Sequence, residues 1–250
     1  RDEGRKMFGK ISDTYSELWR MIIRPPREKY TQEDLGPARF SVGGRVCRRE
    51  DLVIHNPRGL KLQCSHFTAE ADDGNRPPCV IYLHGNCSSR LEAFDALEVL
   101  LALHISVFCL DLSGSGLSEG EYISLGHHEQ EDVRSAVEYL RNSGTVGPIA
   151  LWGRSMGAAT TVLTASRDAS LTACVMDSPF ASLRTVAEEL VGNGKVPVPR
   201  FLLNMALGAV ASEVESRAGF EIDLLQPVKA APYATSPALF ATAVDDTFIL

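Results

Sequence analysis

The sequence contains no Cys-x-x-Cys pair; its six cysteines, at positions 47, 64, 79, 87, 109 and 174, are scattered along the chain. That spacing argues against a zinc site and a dithiol redox motif, and it fits free thiols in a reducing compartment better than a disulfide framework. No run approaches the ~20 apolar residues of a membrane span. The most apolar stretch, 99–112, is interrupted by His104 and Ser106. A secretory leader is not visible, because residues 1–10 are mostly charged. The chain opens on Arg1 and not on Met, so the expectation is a processed or excised piece of a cytosolic protein. Positive charge is in deficit: 25 Lys and Arg against 32 Asp and Glu leave a net charge of −7. An excess of that sign argues against nucleic acid as the partner. Internal repeats and low-complexity segments are absent. Histidine is missing after position 128: the six histidines stand at 55, 66, 84, 104, 127 and 128, and none follows.

What is present reads as an ordinary globular chain. With 44% hydrophobic and 23% charged residues over 250 positions, it can bury one large core. Residues 7–24 carry Ile11, Tyr15, Leu18, Trp19, Ile22 and Ile23 at three- and four-residue spacing, an amphipathic helix ended by Pro25-Pro26. A helix packed on the domain is the plainer reading of it than a membrane or partner helix. Three β-rich runs follow, at 39–47, 51–55 and 60–67, the last two joined by the turn sequence Asn56-Pro57-Arg58-Gly59.

From residue 79 onward the texture changes. Short apolar strands at 79–83, 105–110, 149–152, 173–176 and 238–243 alternate with helical segments at 91–103, 129–141 and 157–166. Continuous apolar strands between helices predict a mostly parallel, doubly wound sheet covered on both faces, in one domain spanning 1–250. Residues 192–233, with Gly192, Gly194, Pro197 and Pro199 leading into a helix over 201–214, interrupt the alternation. An excursion above the C-terminal ends of such strands can be a small lid or a plain helix packed on the sheet.

The chemistry concentrates at Gly153-Arg154-Ser155-Met156-Gly157. Gly-x-Ser-x-Gly is short enough to occur by chance, so its context decides. Here it follows an apolar strand and opens a small-residue helix, the strand–turn–helix placement that a nucleophile elbow requires. Ser155 Oγ would then stand at a helix N-terminus, where free N–H groups favour developing negative charge. His84-Gly85-Asn86 ends the 79–83 strand. The N–H groups of Asn86 and Met156 would make a two-donor oxyanion hole, with His84 structural and Cys87 a passive rim residue. The turn Asp111-Leu112-Ser113-Gly114-Ser115-Gly116-Leu117-Ser118 invites a dinucleotide-binding reading, but the next glycine, Gly120, comes one residue late and no helix opens on the loop. Turn-forming and positional roles fit it better. Three aspartates follow strands on the same sheet edge: Asp246, preferred because Phe248-Ile249 follows it closely, then Asp245, then Asp177, which would satisfy backbone donors before Pro179.

Taken in order, His84-Gly85-Asn86, the 111–118 turn, the 153–157 motif, Asp177-Ser178-Pro179-Phe180 and Asp245-Asp246-Thr247-Phe248-Ile249 resemble the serine aminopeptidase-like and lysophospholipase-like branch of the α/β-hydrolases. The resemblance runs from about Met21 to Leu250. It is strongest to uncharacterised plant and protist members that share an Ile-Ile-Arg-Pro-Pro-like segment, here 22–26. It implies Ser155 as nucleophile, Asp245 or Asp246 as acid, oxyanion donors at Asn86 and Met156, a small-molecule acyl substrate, and neither metal nor organic cofactor. One departure stands out: the family order is serine, acid, then histidine, and no histidine follows Ser155 here. The expectation is a chain lacking the last strand and helix, weakly active as it stands, with strand 238–243 left as an edge that invites self-association. A non-catalytic binding protein on the same fold is the alternative.

Overall fold

Two adjacent glycines decide how the chain enters its sheet. In the computed structural model, which describes residues 18–70, 76–192 and 200–244, Gly43 and Gly44 have φ of 56° and 80°. Left-handed backbone at both central positions closes a two-residue hairpin whose twist matches its strands. It joins β1 (Arg39–Val42) to β2 (Arg45–His55), with Val42 opposite Arg45. The expected runs 39–47 and 51–55 are therefore redivided. The charged stretch Arg48-Arg49-Glu50-Asp51 does not break β2: its side chains alternate between the two faces, and Arg48 and Glu50 are exposed. The nearly buried Arg49 side chain is satisfied by Asp51, Nε to Oδ1 at 3.0 Å, and by the Gly36 carbonyl at 2.8 Å. The turn into β3 (Lys61–Ala69) is the expected one: Gly59 N–H donates to the Asn56 carbonyl at 2.9 Å. The Asn56 side-chain oxygen accepts from the N–H groups of Arg58 and Leu60, each at 3.0 Å.

Five parallel strands complete an eight-stranded sheet: β4 (Cys79–Leu83), β5 (Ser106–Leu110), β6 (Ile149–Arg154), β7 (Cys174–Asp177) and β8 (Ala238–Ala241). The order is β1-β2-β3-β5-β4-β6-β7-β8, with β3 antiparallel to β5. The chain moves from β4 to β5 on one side and then to β6 on the other, so the strand order reverses at β4 and β6. Ligand sites in open α/β sheets lie at the C-terminal ends of the strands flanking such a reversal.

Alternation along β4 shows why both faces are covered. Cys79, Ile81 and Leu83 belong to one buried cluster and Val80 and Tyr82 to the other. The first cluster is roofed by α3 (Glu129–Ser143), α4 (Met156–Ala165) and the second half of α6 (Arg200–Ala218); the second is roofed by α2 (Phe94–Ala102). Residues 18–23 form a helix, α1, that stops before Pro25 and buries Trp19, Ile22 and Ile23 in the first cluster. The rest of the helix expected over 7–24 lies outside the described residues.

A helix the sequence reading left out, α5 (Leu183–Gly192), precedes α6, and a short α7 (Pro227–Ala230) follows it. The excursion after residue 192 is docked from Leu207 onward: Leu207, Val210 and Val214 are buried, and Arg217 lies over the Trp19 ring at 4.3 Å from its centroid. Strand β8 is shorter than the expected 238–243 and exposed at all four residues. Among the described residues it is an edge of the sheet.

Candidate active site

Strand β6 runs through Gly153 and Arg154 and is followed by Ser155 at φ 49° and ψ −112°. Positive φ strains a residue that carries a Cβ, and the surroundings must hold it there. Ser155 N–H donates to the Asp177 carbonyl at 2.7 Å, and the Ser155 carbonyl accepts from Ala159 N–H at 2.9 Å. The flanking glycines are sterically required. A Cβ on Gly153 would fall 2.1 Å from the Gly157 carbonyl oxygen, and one on Gly157 would fall 2.1 Å from the Leu83 carbonyl oxygen. The first turn of α4 is thus pressed onto the ends of both β6 and β4. Ser155 is half-buried, and its Oγ makes no hydrogen bond among the described residues.

The turn after β4 is built on His84, which is fully buried. Its Nε2 accepts from Leu112 N–H at 3.1 Å, so the ring proton is on Nδ1 and donates to the Gly85 carbonyl at 2.7 Å. As expected, His84 holds the loop from beneath. Gly85 N–H is spent on the Glu92 carboxylate (3.1 and 3.2 Å), which also accepts from Tyr82 Oη at 3.2 Å. A Cβ at Gly85 would lie 3.7 Å from the Arg154 carbonyl oxygen, so the β4 turn and the Ser155 turn touch. The N–H of Asn86 forms no bond within its own loop, and that of Met156, the first residue of α4, has no partner among the described residues. Asn86 Oδ1 is buried without a partner. Cys87 is exposed, and partial desolvation raises its thiol above the ordinary value, which disfavours the reactive thiolate.

The 111–118 turn is organised around a buried carboxylate, not a phosphate. Asp111 accepts from Tyr30 Oη at 2.6 Å, Arg90 N–H at 2.7 Å and Leu117 N–H at 2.8 Å. Gly116 has φ 46°, and a Cβ there would sit 2.4 Å from Asp111 Cγ. Gly116 therefore makes room for Asp111, and Gly114 for the Tyr122 carbonyl oxygen, which a Cβ there would approach to 2.6 Å.

Of the three candidate acids, Asp245 and Asp246 lie outside the described residues. β8 runs parallel to β7, with Ala241 opposite Asp177, so the chain leaves β8 at the edge where Ser155 sits. Asp177 differs from expectation: its carboxylate accepts from Ser178 Oγ at 3.2 Å and faces Arg154 Nε at 3.9 Å, and among the described residues it binds no backbone N–H. The reason is the left-handed backbone of Ser178 (φ 53°), which turns its N–H to the Ala241 carbonyl at 2.8 Å. All six histidines are described, and none hydrogen-bonds to Ser155. His127 stacks on Phe220 at 5.5 Å, and His128 Nε2 donates to the Ala218 carbonyl at 2.8 Å. Among the described residues no group of three His, Cys, Asp or Glu could hold a metal ion. Tyr30, Arg90 and Glu92 were missed in the sequence, because isolated polar residues in loops or at a helix start carry no periodicity or motif.

The chain matches the family model described as serine aminopeptidase, S33, over residues 75–219, more than half its length. It is 28% identical over 208 residues to the uncharacterised protein YqkD of Bacillus subtilis, covering 79% of this chain and 63% of that one. To human monoglyceride lipase it is 30% identical over 175 residues, covering 68% and 56%. The chain thus spans about half to two-thirds of the length of the curated relatives it matches. Among solved structures, an esterase of Pyrococcus furiosus superposes with a TM-score of 0.64 at 24% identity, over 91% of this chain and 79% of that one. A puromycin-hydrolyzing peptidase of Mycobacterium tuberculosis superposes with a TM-score of 0.56 at 19% identity, over 79% and 34%. At such identity the likeness shows the fold alone. The affinity to plant and protist members remains an expectation from residues 22–26. By its family match and its sheet, the chain belongs to the serine aminopeptidase (S33) family of the α/β-hydrolases.

Proposed function

We propose that the protein is a serine hydrolase that cleaves an ester, thioester or amide of a small-molecule substrate through an acyl-enzyme on Ser155. The observation that carries this reading is Ser155 itself, at positive φ between two glycines that admit no side chain. Strain of that kind persists only where the surroundings over-determine it, and it presents Oγ at the C-terminal edge of the sheet. In this reading Ser155 Oγ attacks the acyl carbon as a base takes its proton. The carbonyl π pair moves onto oxygen, and the N–H groups of Asn86 and Met156 donate to that oxyanion. Collapse expels the alcohol, thiol or amine, which regains the proton, and water repeats the sequence on the acyl-enzyme. The base is an imidazole C-terminal to the acid, as the family order has it, and Asp246 or Asp245 orients it. No step calls on a metal or an organic cofactor.

The second reading, a binding protein that uses the same pocket without turnover, is favoured by one observation: no histidine hydrogen-bonds to Ser155. The test is covalent labelling with a fluorophosphonate, followed by peptide mapping, alongside turnover of a short activated ester. Labelling at Ser155, with both signals abolished in Ser155→Ala, supports the hydrolase. Ligand retention without labelling supports the binding protein.

A further inference from the structure

Residues 18–36 precede the family-matched segment 75–219, yet they are fastened to the loops that flank the Asn86 turn. Three contacts tie them to the loop after β5. Ile123 N–H donates to the Ile23 carbonyl at 2.9 Å, and Arg24 pairs with Glu121 at 3.1 Å. The Arg27 guanidinium donates to the carbonyls of Ser118, at 3.2 Å, and Gly120. The residues that follow grip the loop after β4. The Glu28 carboxylate accepts from the Ser89 hydroxyl at 2.6 Å. Tyr30 Oη accepts from Arg90 Nε at 2.7 Å and donates to Asp111 at 2.6 Å, while the other Asp111 oxygen takes Arg90 N–H at 2.7 Å.

Arg90 and Asp111 are 1% and 0% exposed, so each must find its partners inside the protein. The phenol of Tyr30 stands between the two charges and bonds to both, and Arg90 Nη1 donates to the Cys64 carbonyl at 2.7 Å. Only Cys87 and Ser88 separate Asn86 from the clasped pair Ser89-Arg90. On the other side, Gly85 N–H is held by Glu92. Asn86 is therefore a short arch whose far pillar is set by residues that lie outside the family-matched segment.

We infer that residues 18–36 form a strap in which Glu28 and Tyr30 are positioning residues, aiming the Asn86 N–H at the oxyanion. The inference rests on the serine-hydrolase reading and extends the site to a segment beyond the matched region. An oxyanion exists only after attack, so a misaimed donor weakens the transition state and leaves ground-state binding alone. Removing such a donor outright costs about 10²–10³ in kcat, and loosening it should cost less.

The experiment measures kcat and KM on an activated ester, per mole of folded protein, together with hydrogen exchange of residues 84–92 in the whole protein. Tyr30→Phe should lower kcat by about tenfold or more, leave KM nearly unchanged, and speed exchange in that segment. Should Tyr30→Phe not fold, Glu28→Ala carries the test with a smaller, several-fold loss of kcat. Glu28→Gln, which keeps an acceptor for Ser89, should hold the rate. A residue that only supports the fold would change the folded fraction and not the kcat of folded molecules. Wild-type kcat in a folded Tyr30→Phe or Glu28→Ala variant overturns the inference. Turnover that survives Ser155→Ala overturns the serine-hydrolase reading instead.

Discussion

The carbonyl oxygen of Leu83, the last residue of β4, would lie 2.1 Å from a Cβ placed on Gly157. The two segments that carry the candidate oxyanion donors are therefore in backbone contact, with no room for a methyl group. Gly157→Ala must push α4 away from β4 and displace Ser155 and Met156 together. The expected cost is about 3 kcal/mol, the upper part of the range for overpacking, with a fall in Tm of roughly 6–12 °C for a chain of this size. Gly153→Ala should behave alike, because its Cβ would meet the Gly157 carbonyl at 2.1 Å. Thermal denaturation of the two variants checks the prediction; wild-type Tm in both would mean that the turn has slack.

Asp246→Asn should cut ester turnover by about two to four orders of magnitude, because loss of the orienting carboxylate leaves the imidazole in the wrong tautomer. Asp177→Asn should leave turnover near wild type, since its carboxylate is engaged by Ser178 and faces Arg154. Circular dichroism should show both variants folded. The reverse order of effects would move the acid from the segment after β8 to the end of β7, and an effect confined to Asp245→Asn would assign it there.

Burial lowers the pKa of His66 from 6.5 to about 4, with Nε2 left without a partner. The unfolded chain then binds more protons than the folded one between those two values, so stability rises with pH across the window. The contribution is complete above pH 6.5 and is lost as pH falls toward 4. Its full extent is on the order of 3 kcal/mol. Burial shifts His127 in the same direction. Urea unfolding at pH 7 and pH 4.5 should show the loss, and His66→Gln should show a smaller one. An equal slope in both proteins would place the acid sensitivity elsewhere.

Strand β8 exposes Leu239 at 62% and Phe240 at 53% beside an edge unpaired among the described residues. Apolar side chains on an open edge favour pairing with a second chain. For the chain of residues 1–250, sedimentation should reveal concentration-dependent association, and Phe240→Lys should suppress it without loss of helical content. A monomer at all concentrations, indifferent to Phe240→Lys, would mean that the edge is covered from within the chain.

Much of this protein follows from local pattern. Apolar strands at 79–83 and 149–152, a small-residue helix after them and glycines two residues either side of Ser155 dictate a parallel sheet and a tight strand-to-helix turn, because periodicity and steric size act between neighbours in sequence. His84-Gly85-Asn86 and the Asp111 turn were legible for the same reason. The hairpin at Gly43-Gly44 was misread because charged residues inside β2 look like a break until a partner strand supports them.

Other features were decided only in three dimensions. That Gly157 needs to be glycine depends on Leu83, 74 positions earlier, and that Gly116 does depends on the carboxylate of Asp111. The cluster of Tyr30, Arg90 and Asp111 joins residues from three loops, and its buried charges find their partners only when the sheet brings the ends of β4 and β5 together. Steric exclusion and desolvation act through space, so local pattern set most of the strands and the turn at Ser155, while tertiary contact decided which residues hold that turn in place.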